Sequence, residues 1–593
     1  MKFSNLISFS AISFFNLSVL VTLVTLTTAP KVASAGYHMK EQTTTSSSLP
    51  KMTLIGRYSA DGTSKISRQY AEIIAYHKSS KSAFITVDEP LTNSPTSFAR
   101  INISALSSKS LKAKAEDNNE VVTSQNLTLE TPVNVATNVN DASFTAGGVQ
   151  SIDITENLLA IAVANSNKDQ NGVIAFYSID AKGKTNFIQK VSVGALPDGV
   201  AFSPNGKYLV VANEGESLKN SATSVSDPEG SISIIAINNG KPAAKATTLG
   251  FTDFNVGGSR AQELPSGVRI VRPGATFSQD AEPEYVTISD DSKTAFVTLQ
   301  EANAVAMVDL ANSKISKIHS LGVKDFGQAK NKIWTNDTTA YTTCASAAAC
   351  EPPTLKNYNN LFGYYMPDGV ATLTVAGKTY YLTANEGDNK DDNIETAAKE
   401  SARVSDIASS LDTNIFNASV STELSRLNIN KTANGTAVGV NPATGKYEKI
   451  FTYGSRSFSI WNAETGTLVF DSGDDFERIV YSDATPSLLH GALKGRMDDK
   501  GPEPENIVVG QVGKEYFAFI GLERSSGIMM YQITDPTKPK FVQYVRNTAD
   551  ASSTGDISPE GLKFIPAVDS PTGAPLLIVG YEVSGSLAVY QIK

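Results

Sequence analysis

LPDGVAFSPNGKYLVVANEGE, residues 196–216, is the stretch that decides how this chain folds. Asp198 opens a short apolar run at 199–203, Pro204-Asn205-Gly206 supplies a turn, and Glu214 closes a second run at 208–213. Two such runs split by a Pro-Asn-Gly turn read as an antiparallel hairpin, and a third run at 231–237 extends it. The same text returns along the chain. Asp368 pairs with Glu386, Glu284 with Glu301, Glu505 with Glu523, Glu560 with Glu582 and, more loosely, Glu72 with Asp88. A degenerate copy without the acids begins near Val149, which brings the copies to seven. Each has room for a fourth, outer strand such as 314–321.

Repetition on this scale means stacked copies of one supersecondary unit. The sequence predicts an all-β chain: a seven-bladed β-propeller with a partly helical insert. The last copy ends at Lys593 with three strands, so a lone strand at 52–58 is expected to complete the C-terminal blade. A linear β-solenoid is the alternative, but hairpin-rich meanders with long inserts fit it poorly.

The first residues read as a signal peptide, 1–35. Lys2 precedes an apolar run at 6–26, and Ala33-Ser34-Ala35 has the form of a cleavage site. Residues 36–50 form a Ser/Thr-rich linker, and 51–593 the propeller, with inserts at about 104–146, 325–360 and 388–450. The first insert is polar and reads as loop. The last contains 394–411, whose Ala, Glu, Lys and Leu content gives it helical character. It directly follows Glu386, so it is expected over the same face, either as a lid or as a tolerated surface insertion. No later run is apolar for long enough to span a bilayer.

The net charge of −9 has the wrong sign for nucleic acid or an anionic membrane surface. It fits either plain solubility or a concentrated cation site. Cys344 and Cys350 flank a short loop, and in an exported chain a disulfide between them is expected. The four histidines are scattered, which argues against histidine-based metal chemistry.

Strand direction gives the acids a common place. The first strand of a copy runs away from its entry loop and the second runs back, so both acids of a pair lie at one end. First strands are innermost in a propeller, so the first acids should ring the axis, with the second acids slightly farther out. Turn chemistry is the competing reading, because Pro-Asp-Gly is a good turn by itself. Glu282-Pro283-Glu284-Tyr285 and Glu503-Pro504-Glu505-Asn506 keep the acid and drop the Gly, which favours a role for the charge.

Like charges around one axis need raised pKa values or bound cations. Candidate ligands are Glu72, Asp198, Glu214, Glu284, Glu301, Asp368, Glu386, Glu505, Glu523, Glu560 and Glu582. Oxygen-only ligands in a flexible ring suit Ca2+ better than Mg2+. Some pairs are open to arginine instead, with Arg524 and Arg403 nearest in sequence. The run 388–393 lacks the Gly and terminal Glu of an EF-hand and reads as a solvated acidic turn.

With these residues assembled, the chain resembles the choice-of-anchor I family. The matching text includes RPGATFSQDAEPEYVTISDDSKTAFVTLQEANAVAMVDL (272–310), GSRSFSIWNAETGTLVFDSGDDFER (454–478), GPEPENIVVG (501–510) and GLERSSGIMMYQITDP (521–536). The resemblance implies an extracellular propeller-like protein with a link to calcium or phosphate, and some bacterial members are labelled alkaline phosphatases. The chain ends without a hydrophobic tail, so a periplasmic or secreted protein is expected. Three functions fit these observations. The first is a Ca2+-stabilised binding module with a cell-surface partner. The second is a metal-dependent phosphoesterase acting on a phosphate-containing small molecule, with Arg403, Arg456, Arg496 or Arg524 as anion clamp. The third is a structural surface protein.

Overall fold

The computed structural model describes residues 49–60, 69–88, 96–112, 121–335, 355–483, 496–548 and 555–593. The leader and the cysteine pair Cys344/Cys350 lie outside these residues. The opening stretch forms the antiparallel pair Pro197–Phe202 and Tyr208–Asn213, and Ser231–Asn238 joins the far side. Its turn is held locally: the Ser203 hydroxyl oxygen accepts from the N–H groups of Lys207 and Tyr208 at 3.2 and 3.0 Å. Gly206, at φ +65°, takes the left-handed position that the turn requires.

Six four-stranded sheets and one five-stranded sheet arise this way. Their first strands are Gln69–His77, Ala146–Thr155, Pro197–Phe202, Pro283–Ile288, Val370–Val375, Pro504–Val512 and Pro559–Ile565. Each packs against the first strand of the next sheet along the chain, and the last packs against the first. The arrangement is all-β and propeller-like. Apolar residues fill the gaps between neighbouring sheets. Leu382, Phe458 and Ile460 of one sheet meet Ile507, Ile520 and Met529 of the next. Burying a side chain of this size stabilises the fold by about 1.5–3 kcal/mol.

The N-terminal strand, Met52–Ser59, lies where the sequence predicts. It pairs antiparallel with Ser586–Ile592, from Met52 opposite Ile592 to Ser59 opposite Ser586. A buried ion pair locks it. Arg57 Nη2 lies 2.8 Å from Asp556 Oδ1, and both side chains are fully buried. Asp556 also accepts from Asn547 and from the Ser586 hydroxyl, each at 2.7 Å. Replacing Arg57 with Met leaves that carboxylate buried without its cation. We expect a loss of about 3–5 kcal/mol, read as a lower midpoint in chemical denaturation.

The described parts of the inserts carry more regular structure than their sequence suggests. In the first, Val133–Asn134 adds a fourth strand to the first sheet, and Val121, Val122, Val135 and Val139 are buried. A continuous helix over 394–411 does not form. Two 3-10 turns, Thr396–Ala398 and Val404–Ser410, flank a strand, Ser401–Arg403, that pairs with Asn428–Asn430. The cause is local: Asp391 accepts from the Glu400 N–H at 2.7 Å and from the Ser401 hydroxyl, diverting the backbone from helical pairing. The α-helix of this insert is Ala418–Glu423, capped by the Asn417 side chain. Residues from both later inserts, among them Phe326, Tyr358, Val404 and Leu424, share one small apolar core. Among the described residues no helix is long and apolar enough to cross a membrane.

Candidate functional site at the acidic mouth

The first acid of the opening motif, Asp198, sits at a break in its strand. Pro197 faces Asn213 while Val200 faces Val211, so one extra residue stands on the inner strand. The same bulge recurs between Pro283 and Val286, Pro504 and Ile507, and Pro559 and Leu562. A bulge at a fixed place re-aims a side chain away from the regular alternation. The residue before each of these prolines, and before Pro367, has positive φ: Leu196, Glu282, Met366, Glu503 and Ser558, from 37° to 62°. For a residue other than Gly this costs about 1–3 kcal/mol, so it persists where surrounding contacts hold it. One contact is common to three copies. The carbonyl of the strained residue accepts from the N–H of the second acid, Glu214 to Leu196 and Glu523 to Glu503 at 2.8 Å, Glu582 to Ser558 at 2.9 Å. The two acids of a pair are thereby clipped together.

The glycine after the acid has a separate cause. A Cβ on Gly199 would lie 2.2 Å from the Glu284 carbonyl oxygen, one on Gly369 2.6 Å from that of Glu505, and one on Gly561 2.3 Å from that of Glu72. Gly appears where the next inner strand approaches closely. Where it is absent, Tyr285 and Asn506 project and touch at 3.4 Å.

Asp198, Glu214, Glu284, Asp368, Glu560 and Glu72 line one cavity of about 150 Å³, with Gln150 in the acid's position on the second sheet. Among the described residues no lysine or arginine pairs with Asp198, Glu214, Glu284, Asp368, Glu505 or Glu560. Burial first, and neighbouring carboxylates second, push all six upward. Asp198 rises to about 7, and Glu214, Glu284, Asp368, Glu505 and Glu560 rise well above the usual range. Oε2 of Glu284 and of Glu505 is buried without a hydrogen-bond partner. The Tyr285 phenol, half-buried in the same throat, is raised by desolvation and then by Asp368 and Glu560.

Farther out the charge is balanced by cations: Arg524, which the sequence reading offered as a partner, and two lysines that it missed. Lys500 Nζ lies 2.6 Å from Glu386 Oε1 and 3.5 Å from Glu503 Oε2. Lys390 Nζ lies 3.0 Å from Asp280 and also pairs with Glu282. Both lysines are buried, a cost that the surrounding carboxylates outweigh, raising their pKa values. Their anchors Glu282 and Glu503 hold one position, the first Glu of a Glu-Pro-Glu motif. That repeat was the available signal; Lys390 comes from a distant loop, and Lys500, three residues before Glu503, carries no motif of its own. Arg524 pairs with Glu523 at 2.7 Å and with Glu503 at 3.1 Å, and Arg496 with Glu503 at 2.7 Å. Burial raises Glu503, but Lys500, Arg524 and Arg496 outweigh it and hold the group low. Burial raises Glu301 to about 7 despite Lys390, and Glu523 to about 8 despite Arg524.

Arg403 and Arg456 are engaged elsewhere. Arg403 pairs with Asp498 at 2.9 Å. Arg456, buried, pairs with Glu477 at 2.8 Å and donates to the carbonyls of Trp334, Met497 and Asp499. Of the described histidines, His77 bonds Ser80 and Asn157, and His319 stacks on Tyr381. Neither faces the acids. The insert after Glu386 does reach this end: Lys390 and Asn393, which bonds Glu216, both come from it.

Fold and site together define an all-β, propeller-like protein with a carboxylate-lined axial mouth. The choice-of-anchor I domain model matches residues 72–536, and the chain belongs to that family. Gigasin-3a of Magallana gigas is 26% identical over 170 residues, covering 25% of this chain and 60% of that protein. The mesenchyme-specific cell surface glycoprotein of Strongylocentrotus purpuratus is 23% identical over 276 residues, covering 40% of this chain and 35% of that protein. The chain thus spans less than two thirds of either relative. Hydrazine synthase of Kuenenia stuttgartiensis superposes over 89% of this chain and 97% of its own, with TM-score 0.39 and 12% identity. The WD40 domain of Toxoplasma gondii coronin does so over 91% and 88%, with TM-score 0.38 and 8% identity.

Proposed function

We propose that this protein is an exported, surface-associated binding module, a seven-bladed β-propeller whose acidic mouth holds Ca2+. The blade count is supported by seven sheets whose first strands touch in a ring, and by the N-terminal strand seated in the last sheet. Export is supported by the leader-like residues 1–35 and by the cell-surface glycoprotein among the relatives. The observation that carries the cation is the crowding of buried carboxylates that have no basic partner. Calcium satisfies six to eight oxygens at 2.3–2.6 Å in flexible geometry, which suits a ring of long acidic side chains.

A ligand that binds only the native state raises its melting temperature. Millimolar Ca2+ is therefore expected to raise the melting temperature, and excess chelator to lower it. Identical melting curves under both conditions would sink the proposal. A metal-dependent phosphoesterase is the second reading, favoured by Arg496 and Arg524 standing beside the acids. Both arginines are already paired with Glu503 or Glu523, which favours the binding module. Calcium-dependent turnover of p-nitrophenyl phosphate, lost in Asp198→Asn/Asp368→Asn, would reverse that preference.

A further inference from the structure

Glu386 belongs to two groupings of three carboxylates, each with ligand oxygens within 4.8 Å of one another: Asp368–Glu386–Glu505 and Glu386–Glu503–Glu523. The second is filled by protein cations, with Arg496, Arg524 and Lys500 on Glu503 and Arg524 on Glu523. Among the described residues the first meets a cation only through Glu386, whose oxygens take Lys500 at 2.6 Å and Gln300 at 2.8 Å. Glu505 is 9% exposed, and its Oε2 has no partner. Oxygens that share one Ca2+ at 2.3–2.6 Å lie within about 5 Å of each other, the spacing seen here.

Resting on the reading that the mouth holds Ca2+, we infer that the ion's seat is Asp368–Glu386–Glu505, and that Lys500 is a tethered counter-ion which it displaces from Glu386. An ammonium and a divalent ion on one carboxylate repel each other. Lys500 has other acceptors close by, Asp388 and Glu503, each 3.5 Å away. A short swing of the side chain therefore frees Glu386 without leaving the ammonium unpaired. Lys390 is the internal control. It occupies the equivalent place beside Glu282 but turns to Asp280, away from this seat.

The wild-type protein tests the swing directly. Its lysines are acetylated in brief pulses, with chelator or with saturating Ca2+, and mass spectrometry reads each site. Calcium should raise Lys500 modification several-fold and leave Lys390 unchanged. Calorimetric Ca2+ titrations supply the second arm. Lys500→Met should bind about tenfold tighter than wild type, Glu505→Gln about tenfold weaker, and Lys293→Met, changed at an exposed turn, within about twofold of wild type. Wild-type protein that binds Ca2+ with Lys500 labelling unchanged, or Lys500→Met binding no tighter, overturns the inference and leaves the cation reading standing. Absence of Ca2+ binding in wild type and all variants overturns both.

Discussion

Stripped of divalent cations, the protein should melt about 10 °C higher at pH 5.5 than at pH 8, and saturating Ca2+ should remove most of that difference. In the folded state burial and neighbouring carboxylates hold Asp198 near 7, and Glu523, buried beside Glu503, near 8. Glu284, Asp368, Glu505 and Glu560 stand well above the usual range. In the unfolded chain such groups titrate near 4. Between about pH 4 and 8 the native state therefore binds more protons than the unfolded one, and stability falls as pH rises through that window. One carboxyl held near 7 costs the fold of order 2–4 kcal/mol at pH 8. Glu503, held low by Lys500, Arg524 and Arg496, contributes the opposite slope but is one group against many. Calcium binds the ionised form, so its presence flattens the profile. Scanning calorimetry at the two pH values, with chelator and with Ca2+, checks this. A metal-free protein equally stable at both would show that the acids are not coupled as described.

Replacing Glu505 with Gln should stabilise the metal-free protein, although most substitutions at buried positions destabilise. At pH 8 the native carboxyl is either ionised against Asp368, Glu386 and Glu560 or protonated against the solution pH. The amide avoids both costs. We expect a gain of about 1–3 kcal/mol in chelator. In saturating Ca2+ the order should invert, because the variant lacks a ligand that wild type has. Urea denaturation under both conditions reads the inversion. A variant less stable than wild type in chelator would mean that the Glu505 carboxylate is held by contacts of its own.

Much of this architecture was legible because the acid and the strand mark each other. Asp198 and Glu214 flank two short runs, and those runs fold as the hairpin that brings the acids to one end. The closing strand was legible for a similar reason, since the last copy reads as three strands and the run at 52–58 belongs to no other copy. Gln150 was hidden because its copy lacks the carboxylate that marks the other six. The strained residues before proline were hidden because positive φ there follows from tertiary contacts rather than residue type. Glu282 and Glu503 stood in plain text, but their role needed Lys390 and Lys500, which lie 108 and 3 residues from them and arrive on loops. The helical character read into 394–411 gave way to Asp391, whose carboxylate captured the backbone at Glu400.

The most direct test is the metal content of the protein purified without chelator and dialysed against metal-free buffer at pH 7.5. Elemental mass spectrometry should find calcium at about one ion per chain or more. Calcium at background level, in protein that also fails to take up the ion from added Ca2+, would contradict the assignment of the acidic mouth as a cation site.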